Sequence, residues 1–272
     1  MENENKLAVF KKELECQELS QRAVSLYSHY AADFCDYIGE SEITREKVIE
    51  YKKELENKYS TNTVNLRIVA INRFLRQLGY EKFCLKSIKC QRRGSLENVI
   101  TKAEYRKLVT YAKSKTNGKY YAIIKTLAMT GIRINELKYI TVEAVKKGYT
   151  VVRNKGKSRE IYLTDTLEEI LTNYCAKAGI TTGVIFRGNT GSTISREAVW
   201  KTLKRYAKVA GIPEEKVYPH SFRHFFALSY MEKNSNLFEL ADILGHSDLS
   251  TTRIYTSSSI EDKRRRMGEL EL

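Results

Sequence analysis

Apolar residues recur at steps of three and four through the first 85 residues, the spacing of one face of a helix. Val24, Tyr27, Ala31, Phe34 and Ile38 form one such stripe, with Ser20 placed to cap its start. Thr44 can open a second helix through TREKVIEYKKELENKY. The third stripe is Val64, Ile68, Ile71, Leu75 and Leu78; Arg67, Arg73 and Arg76 fall on its other sides, and Gly79 stands where a helix would stop. These elements predict a small helical bundle with a basic exterior. The periodicity breaks over residues 86–99, where Lys89, Arg92, Arg93 and Gly94 read as a basic linker or, more plainly, a surface loop. A new helix start follows at once, because Thr101 and Glu104 have the capping-box spacing.

Beyond residue 100 the pattern stays helical with one β element. Tyr149–Arg153 and Glu160–Leu163 are β-branched and aromatic runs on either side of Asn154-Lys155-Gly156-Lys157-Ser158, which predicts a hairpin. Val184–Phe186 is expected to add a short strand before the Gly188–Gly191 loop, and helical spacing returns at Ser195–Ala210, His220–Met231 and Leu237–Leu244. The fold class expected is mainly α with a small β-hairpin, arranged as a helical domain over 1–88, a basic linker over 89–99 and a mostly helical domain over 100–272.

Charge sharpens the picture. The 272 residues carry 47 Lys+Arg against 33 Asp+Glu, a net +14, which favours a polyanionic partner because cationic side chains release the counterions condensed on nucleic acid. No apolar run approaches the ~18 residues of a membrane span, and the charged N-terminus lacks the form of a signal peptide. Cys16, Cys35, Cys84, Cys90 and Cys175 are scattered and form no C-x-x-C pair, as in reduced cytosolic proteins. The expected address is cytoplasmic, with no membrane partner.

Three segments bear candidate chemistry. His220 and Arg223 share one face of a first helical turn behind Pro219, where free N–H groups and the dipole favour an anion such as phosphate. Arg133 follows the Gly131 turn, and Glu136 is spaced either to hold it or to cap the helix expected there. Gly245 ends a helix, His246 falls in the turn, and Tyr255 comes nine residues later. His220 and His224 have the spacing of a metal-binding pair, but no acidic residue lies between them and Arg223 would repel a cation; no metal is expected.

Taken in order, TGIR, a hairpin with lysine in its turn, HSFRH and LGHSDLSTTRIY resemble the tyrosine recombinase (phage integrase) family in its simple two-domain form. The likeness covers nearly the whole chain. It implies a helical core-binding, SAM-like DNA-binding domain followed by the family's catalytic domain. It also implies a function: a site-specific recombinase that cleaves and rejoins DNA through a 3′-phosphotyrosyl bond, for integration, excision or inversion, without metal or ATP. By residue, Arg133 and Arg223 would clamp the phosphate, His220 would assist as general acid/base, His246 would support phosphate and nucleophile, and Tyr255 would be the nucleophile. Lys155 matches the hairpin lysine that protonates the leaving 5′-oxygen. The turn is one residue shorter than the common Gly-Lys-Gly form, so Lys157 stays a competitor. Arg67, Arg73, Arg76, Arg92, Arg93 and Lys157 are the basic positions expected on DNA. The partners implied are double-stranded DNA and a homo-tetramer assembled on it from two bound dimers, with room for accessory DNA-bending proteins. The tail, 256–272, carries Met267, Leu270 and Leu272 as a thin apolar stripe for docking on a neighbouring copy. A basic DNA-binding regulator, with no need of Tyr255, and a topoisomerase of the same chemistry are the competing readings.

Overall fold

The computed structural model describes residues 2–89, 96, 98–154, 157–188, 191–246, 248–256, 264 and 268, without the side chains of Glu2, Asn154 and Lys157. The chain divides into two compact units, at Arg92 and Arg93.

The first unit holds α1 (Glu2–Cys16), α2 (Gln21–Ile38), α3 (Arg45–Lys58) and α4 (Thr61–Gln77). Ser20 caps α2 by accepting from the Ala23 N–H, and Thr44 caps α3 by accepting from Lys47. The stripe on α4 is fully buried from Val64 to Leu75 and packs against Phe10, Phe34 and Val48. Asn65 and Asn72, about two turns apart on α4, each pair through their side-chain amides with both backbone groups of one residue, Ile88 and Leu85 respectively. Those four bonds satisfy an extended stretch that no strand accompanies.

One expectation for this unit is corrected. Arg67 is not on the basic exterior: it is 7 % exposed, its Nη1 donates to Asp33 at 2.7 Å, and its guanidinium lies between the rings of Tyr30 and Tyr59. Its place on the flank of the apolar stripe carries it inward, and Asp33 supplies the countercharge that makes burial tolerable. Arg73 is half-buried and donates to Gln17; Arg76 is exposed.

The second unit comprises α5 (Lys102–Lys113), α6 (Lys119–Thr130), α7 (Val142–Lys147), the hairpin β1 (Tyr149–Asn154) and β2 (Lys157–Tyr162), α8 (Asp165–Ala178), α9 (Arg196–Val209), α10 (Pro219–Lys233) and α11 (Leu237–Leu244). Helix α6 is buried on most sides, through Ala122, Ile123, Ile124, Leu127 and Ala128, and so forms the centre against which α5, α8 and α10 pack. The capping box at Thr101 and Glu104 forms in both directions. The hairpin is antiparallel with Asn154 opposite Lys157, a tighter connection than the five-residue turn expected.

Two local expectations differ. Val184–Phe186 forms no strand, only a single bridge from Val184 to Thr141, and Arg187 bridges Thr193. The stretch after Arg133 is a 3₁₀ turn, Ile134–Tyr139, rather than an α-helix. Lys155, Arg92, Arg93, the Lys157 side chain, most of the linker and most of the tail lie outside the described residues.

Loss of the buried Arg67 guanidinium would empty the slot between Tyr30 and Tyr59 and leave Asp33 with only His29, 3.7 Å away. Arg67→Ala is expected to lower the stability of the helical unit by about 2–4 kcal/mol, while the exposed Arg76→Ala changes it by less than ~0.5 kcal/mol. Denaturant unfolding of the full chain measures both.

Candidate active site

The site begins where α6 ends. Gly131 has φ +62°, and a Cβ there would meet Phe226 at 2.5 Å, so only glycine allows the chain to turn sharply against α10. The turn delivers Arg133 to the N-cap of the 3₁₀ element. Its backbone N–H donates to Glu136 Oε2 at 2.8 Å and its Nη1 to Oε1 at 3.2 Å, so Glu136 both caps the turn and holds the arginine.

Glu136 is 4 % exposed and takes a second guanidinium, that of Arg159 from β2, in a two-pronged pair at 3.1 and 2.6 Å. Burial alone would raise the Glu136 carboxyl; the bonds from Arg159 and from the Arg133 backbone, with both positive charges, outweigh it and hold the pKa below the ordinary value. Arg159 Nε continues to the Ile243 carbonyl at 3.0 Å, and its side chain runs directly against Gly245. One carboxylate thereby ties the hairpin, the Arg133 turn and the end of α11 together.

Helix α10 starts with Pro219 at its first position, followed by His220 and, one turn on, Arg223. Arg223 is 1 % exposed. Its Nη1 donates to the Gly131 carbonyl at 2.8 Å and its Nη2 to that of Leu244, so it joins the turn before Arg133 to the turn before His246. Its Nε is buried without a partner among the described residues. Burial, then the neighbouring Arg133 and Arg159, push its pKa down to about 9, still cationic at neutral pH. His246 Nδ1 lies 2.8 Å from Oγ1 of the fully buried Thr252. Arg133, His220 and Arg223 border a cleft of about 520 Å³ that continues along Arg196, Trp200 and Lys204 of α9.

Tyr255 sits in the 3₁₀ turn Arg253–Thr256, 7 % exposed and packed with Ala227, Leu240 and Leu244. Its hydroxyl lies 2.8 Å from His224 Nδ1. Burial pushes the phenol up to about 12, with Arg223 opposing. The histidines move the other way: His224 is brought down to about 4 by burial, His220 and Arg223, and His246 to about 4 by burial, Arg223 and Arg133. His220, open to solvent on one side, is also lowered, by burial of its inner side and then by Arg223 and Arg133. At neutral pH the rings are uncharged, and the fixed positive charge belongs to the arginines. Among the described residues no group of three or more His, Cys, Asp or Glu is placed to hold a metal ion.

The structure thus gathers Arg133, His220, Arg223, His246 and Tyr255 around α10, while Lys155 lies outside the described residues. Two residues at the centre were not anticipated. His224 reads from its spacing only as a metal partner of His220; in the structure it is the residue that touches Tyr255. Arg159 carried a signal of its own: it shares the inward face of β2 with Ile161 and Leu163, and a charge at such a position needs a buried partner.

Gly245 has φ +65° and a Cβ there would stand 2.7 Å from Arg159 Cδ, an atom held in place from both sides. Gly211 has the same kind of φ, +66°, with open space around it. Gly211→Ala is therefore expected to cost about 1 kcal/mol of backbone strain, and Gly245→Ala about 2–4 kcal/mol, because packing strain adds to it. Thermal unfolding of the two variants side by side reads the difference.

Known proteins bear the same stamp. The model of the phage integrase family matches residues 98–262. The tyrosine recombinase XerA of Pyrococcus horikoshii is 28 % identical over 277 residues, covering 99 % of this chain and 95 % of its own. In fold, the Tn1549 transposon integrase in complex with transposon right end DNA matches 98 % of this chain and 99 % of its own at TM-score 0.76 and 16 % identity. The lambda integrase tetramer bound to a Holliday junction matches 94 % and 78 % at 0.76 and 18 % identity. With its motifs in order and a family match spanning more than half its length, the chain belongs to the phage integrase family, the tyrosine recombinases.

Proposed function

We propose that this chain is a site-specific DNA recombinase in which Tyr255 attacks a backbone phosphate, forms a 3′-phosphotyrosyl bond and releases a 5′-hydroxyl. The observation that carries the reading is Arg223: a buried cation that joins the Arg133 turn to the His246 turn and lies within electrostatic reach of Tyr255. Arg133 and Arg223 neutralise the charge that grows on the non-bridging oxygens as the phosphorus becomes five-coordinate. His220, at the mouth of the cleft, and His246, held by Thr252, donate to the same oxygens. Lys155 is the proposed acid on the leaving 5′-oxygen, with Lys157 as its competitor. Because the phosphotyrosyl bond retains the phosphodiester's energy, the 5′-hydroxyl of a new strand reverses the step without ATP.

The helical unit is proposed as the core-binding domain, with Arg73 and Arg76 among its contacts to the DNA backbone, together with Arg92 and Arg93 of the linker. A nicked duplex drawn from the DNA flanking the native gene is the test substrate, since a strand end that diffuses away traps the covalent step. Wild type is expected to give an SDS-stable protein–DNA adduct, and Tyr255→Phe to give none while keeping its salt-sensitive affinity for the duplex. Tight binding with no wild-type adduct on any flanking sequence would return the reading to a DNA-binding regulator.

The proposed working assembly is a homo-tetramer built on DNA from two dimers, with the tail docking on the next copy. Removing residues 259–272 is then expected to abolish cooperative assembly in a gel-shift titration while single-site affinity stays within about threefold. Undiminished cooperativity would rule out the docking role.

A further inference from the structure

We propose that His224 is the general base of the reaction, taking the phenolic proton of Tyr255, which frees His220 to serve the phosphate. The inference rests on the recombinase reading above and assigns within it a residue the motif pattern leaves without a role. Three observations support it.

The first is contact. His224 Nδ1 is 2.8 Å from Tyr255 Oη, whereas the ring of His220 faces the cleft with Arg133. A base must lie within hydrogen-bond reach of the proton it removes. The second is the lack of water: Tyr255 is 7 % exposed among Ala227, Leu240 and Leu244, so solvent is a poor acceptor for its proton. The third is the electrostatic frame. His224 stacks on His220, ring centres 5.4 Å apart, and follows Arg223 on the same helix. The groups facing it are His220 and Arg223 from α10 and Tyr255 from the 3₁₀ turn, with Tyr218 further along. Burial, with His220 and Arg223 beside it, keeps the ring neutral in the free protein, so Nδ1 has a lone pair to offer once Nε2 carries the ring hydrogen. An arriving phosphate brings the negative charge that favours a protonated ring.

The steps balance. As the Oη–P bond forms, the Oη–H bond breaks and its proton passes to Nδ1. The P–O5′ bond breaks, and the 5′-oxygen takes its proton from a separate acid, the role proposed for Lys155. In rejoining, a 5′-hydroxyl attacks, its proton returns to the amine that gave it, the role proposed for Lys155, as the O5′–P bond forms, and the Oη–P bond breaks while Nδ1 returns its proton to Oη. Phenol and imidazole are mismatched at rest, but an oxygen that is becoming a phosphate ester loses its affinity for the proton, so transfer accompanies bond formation.

His224→Asn tests the assignment, because the side-chain amide can stand near Nδ1 and hold the hydroxyl while being unable to accept a proton; His224→Gln, which reaches further, controls for geometry. On the nicked duplex, both variants are expected to form adduct roughly 100- to 1,000-fold more slowly than wild type, with a rate that climbs steadily with pH. Melting temperature and duplex affinity report that the variants are folded. A duplex with sulfur replacing the bridging 5′-oxygen separates acid from base, since a thiolate leaves without a proton. The defect should persist on it.

Adduct formation in His224→Asn within about threefold of wild type, or a defect erased by the sulfur substrate, would overturn the base role and leave the recombinase intact. Absence of adduct from wild type would remove both. Without DNA, ¹⁵N NMR of the histidine rings gives an independent check: the Nε2–H form, with Nδ1 shifted by Tyr255→Phe, is expected. The Nδ1–H form contradicts the proposal.

Discussion

At the middle of the catalytic unit lies a guanidinium that water does not reach. Arg223 is as buried as the core phenylalanines beside it, yet its partners are two backbone carbonyls and no carboxylate. Removing a charge from water costs several kcal/mol, and two neutral acceptors recover only part of that. The arrangement persists because those carbonyls, of Gly131 and Leu244, end two helices that the rest of the unit holds in place. Around it stand Arg133 and Arg159, with Glu136 as the nearest countercharge, so three cations share one carboxylate. Among the described residues that leaves a surplus of positive charge, which is complementary to a phosphate.

Burial and this surplus together set the behaviour of the surrounding groups. Burial first, and the neighbouring positive charge after it, keep a further proton off His224 and His246, so both stay neutral where ordinary histidines are partly charged. Tyr255 is pulled both ways: burial disfavours its anion and Arg223 favours it, and burial prevails. Its hydroxyl therefore remains protonated and engaged by His224 until something changes the balance. A phosphate entering the cleft beside Arg133 and His220 would do so from outside. Arg133, His220 and Arg223 already border one cleft, the kind of arrangement on which electrostatic preorganisation depends.

Local chemistry was the legible part of the sequence. Hydroxyl caps at Ser20, Thr44 and Thr101 act within four residues, and the apolar stripes act within one helix, so pattern alone locates them. Arg133, His220, Arg223, His246 and Tyr255 were joined in one constellation by the resemblance of the ordered motifs to the tyrosine recombinases, since each segment by itself is a weak signal. What pattern could not supply was partnership across the chain. Arg67 reads as a surface residue until Asp33, 34 residues away, draws it inward. Val184–Phe186 has strand composition, but it meets no partner strand, only the backbone around Ile140 and Thr141. The link between His224 and Tyr255 spans 31 residues, and the turns at Gly245 and Thr252 bring them together.

The bond between His224 and Tyr255 also bears on how copies of the chain would share labour. With the roles proposed above, Tyr255, Arg133, Arg223 and the neighbouring histidines meet within one polypeptide, an arrangement in cis. While Tyr255 remains on its own His224, a copy with a damaged tyrosine gains nothing from an intact neighbour, and an intact copy loses nothing beside a damaged one. Strand choice within an assembly would then be decided by which copy is allowed to fire, and not by which tyrosine is lent to whom.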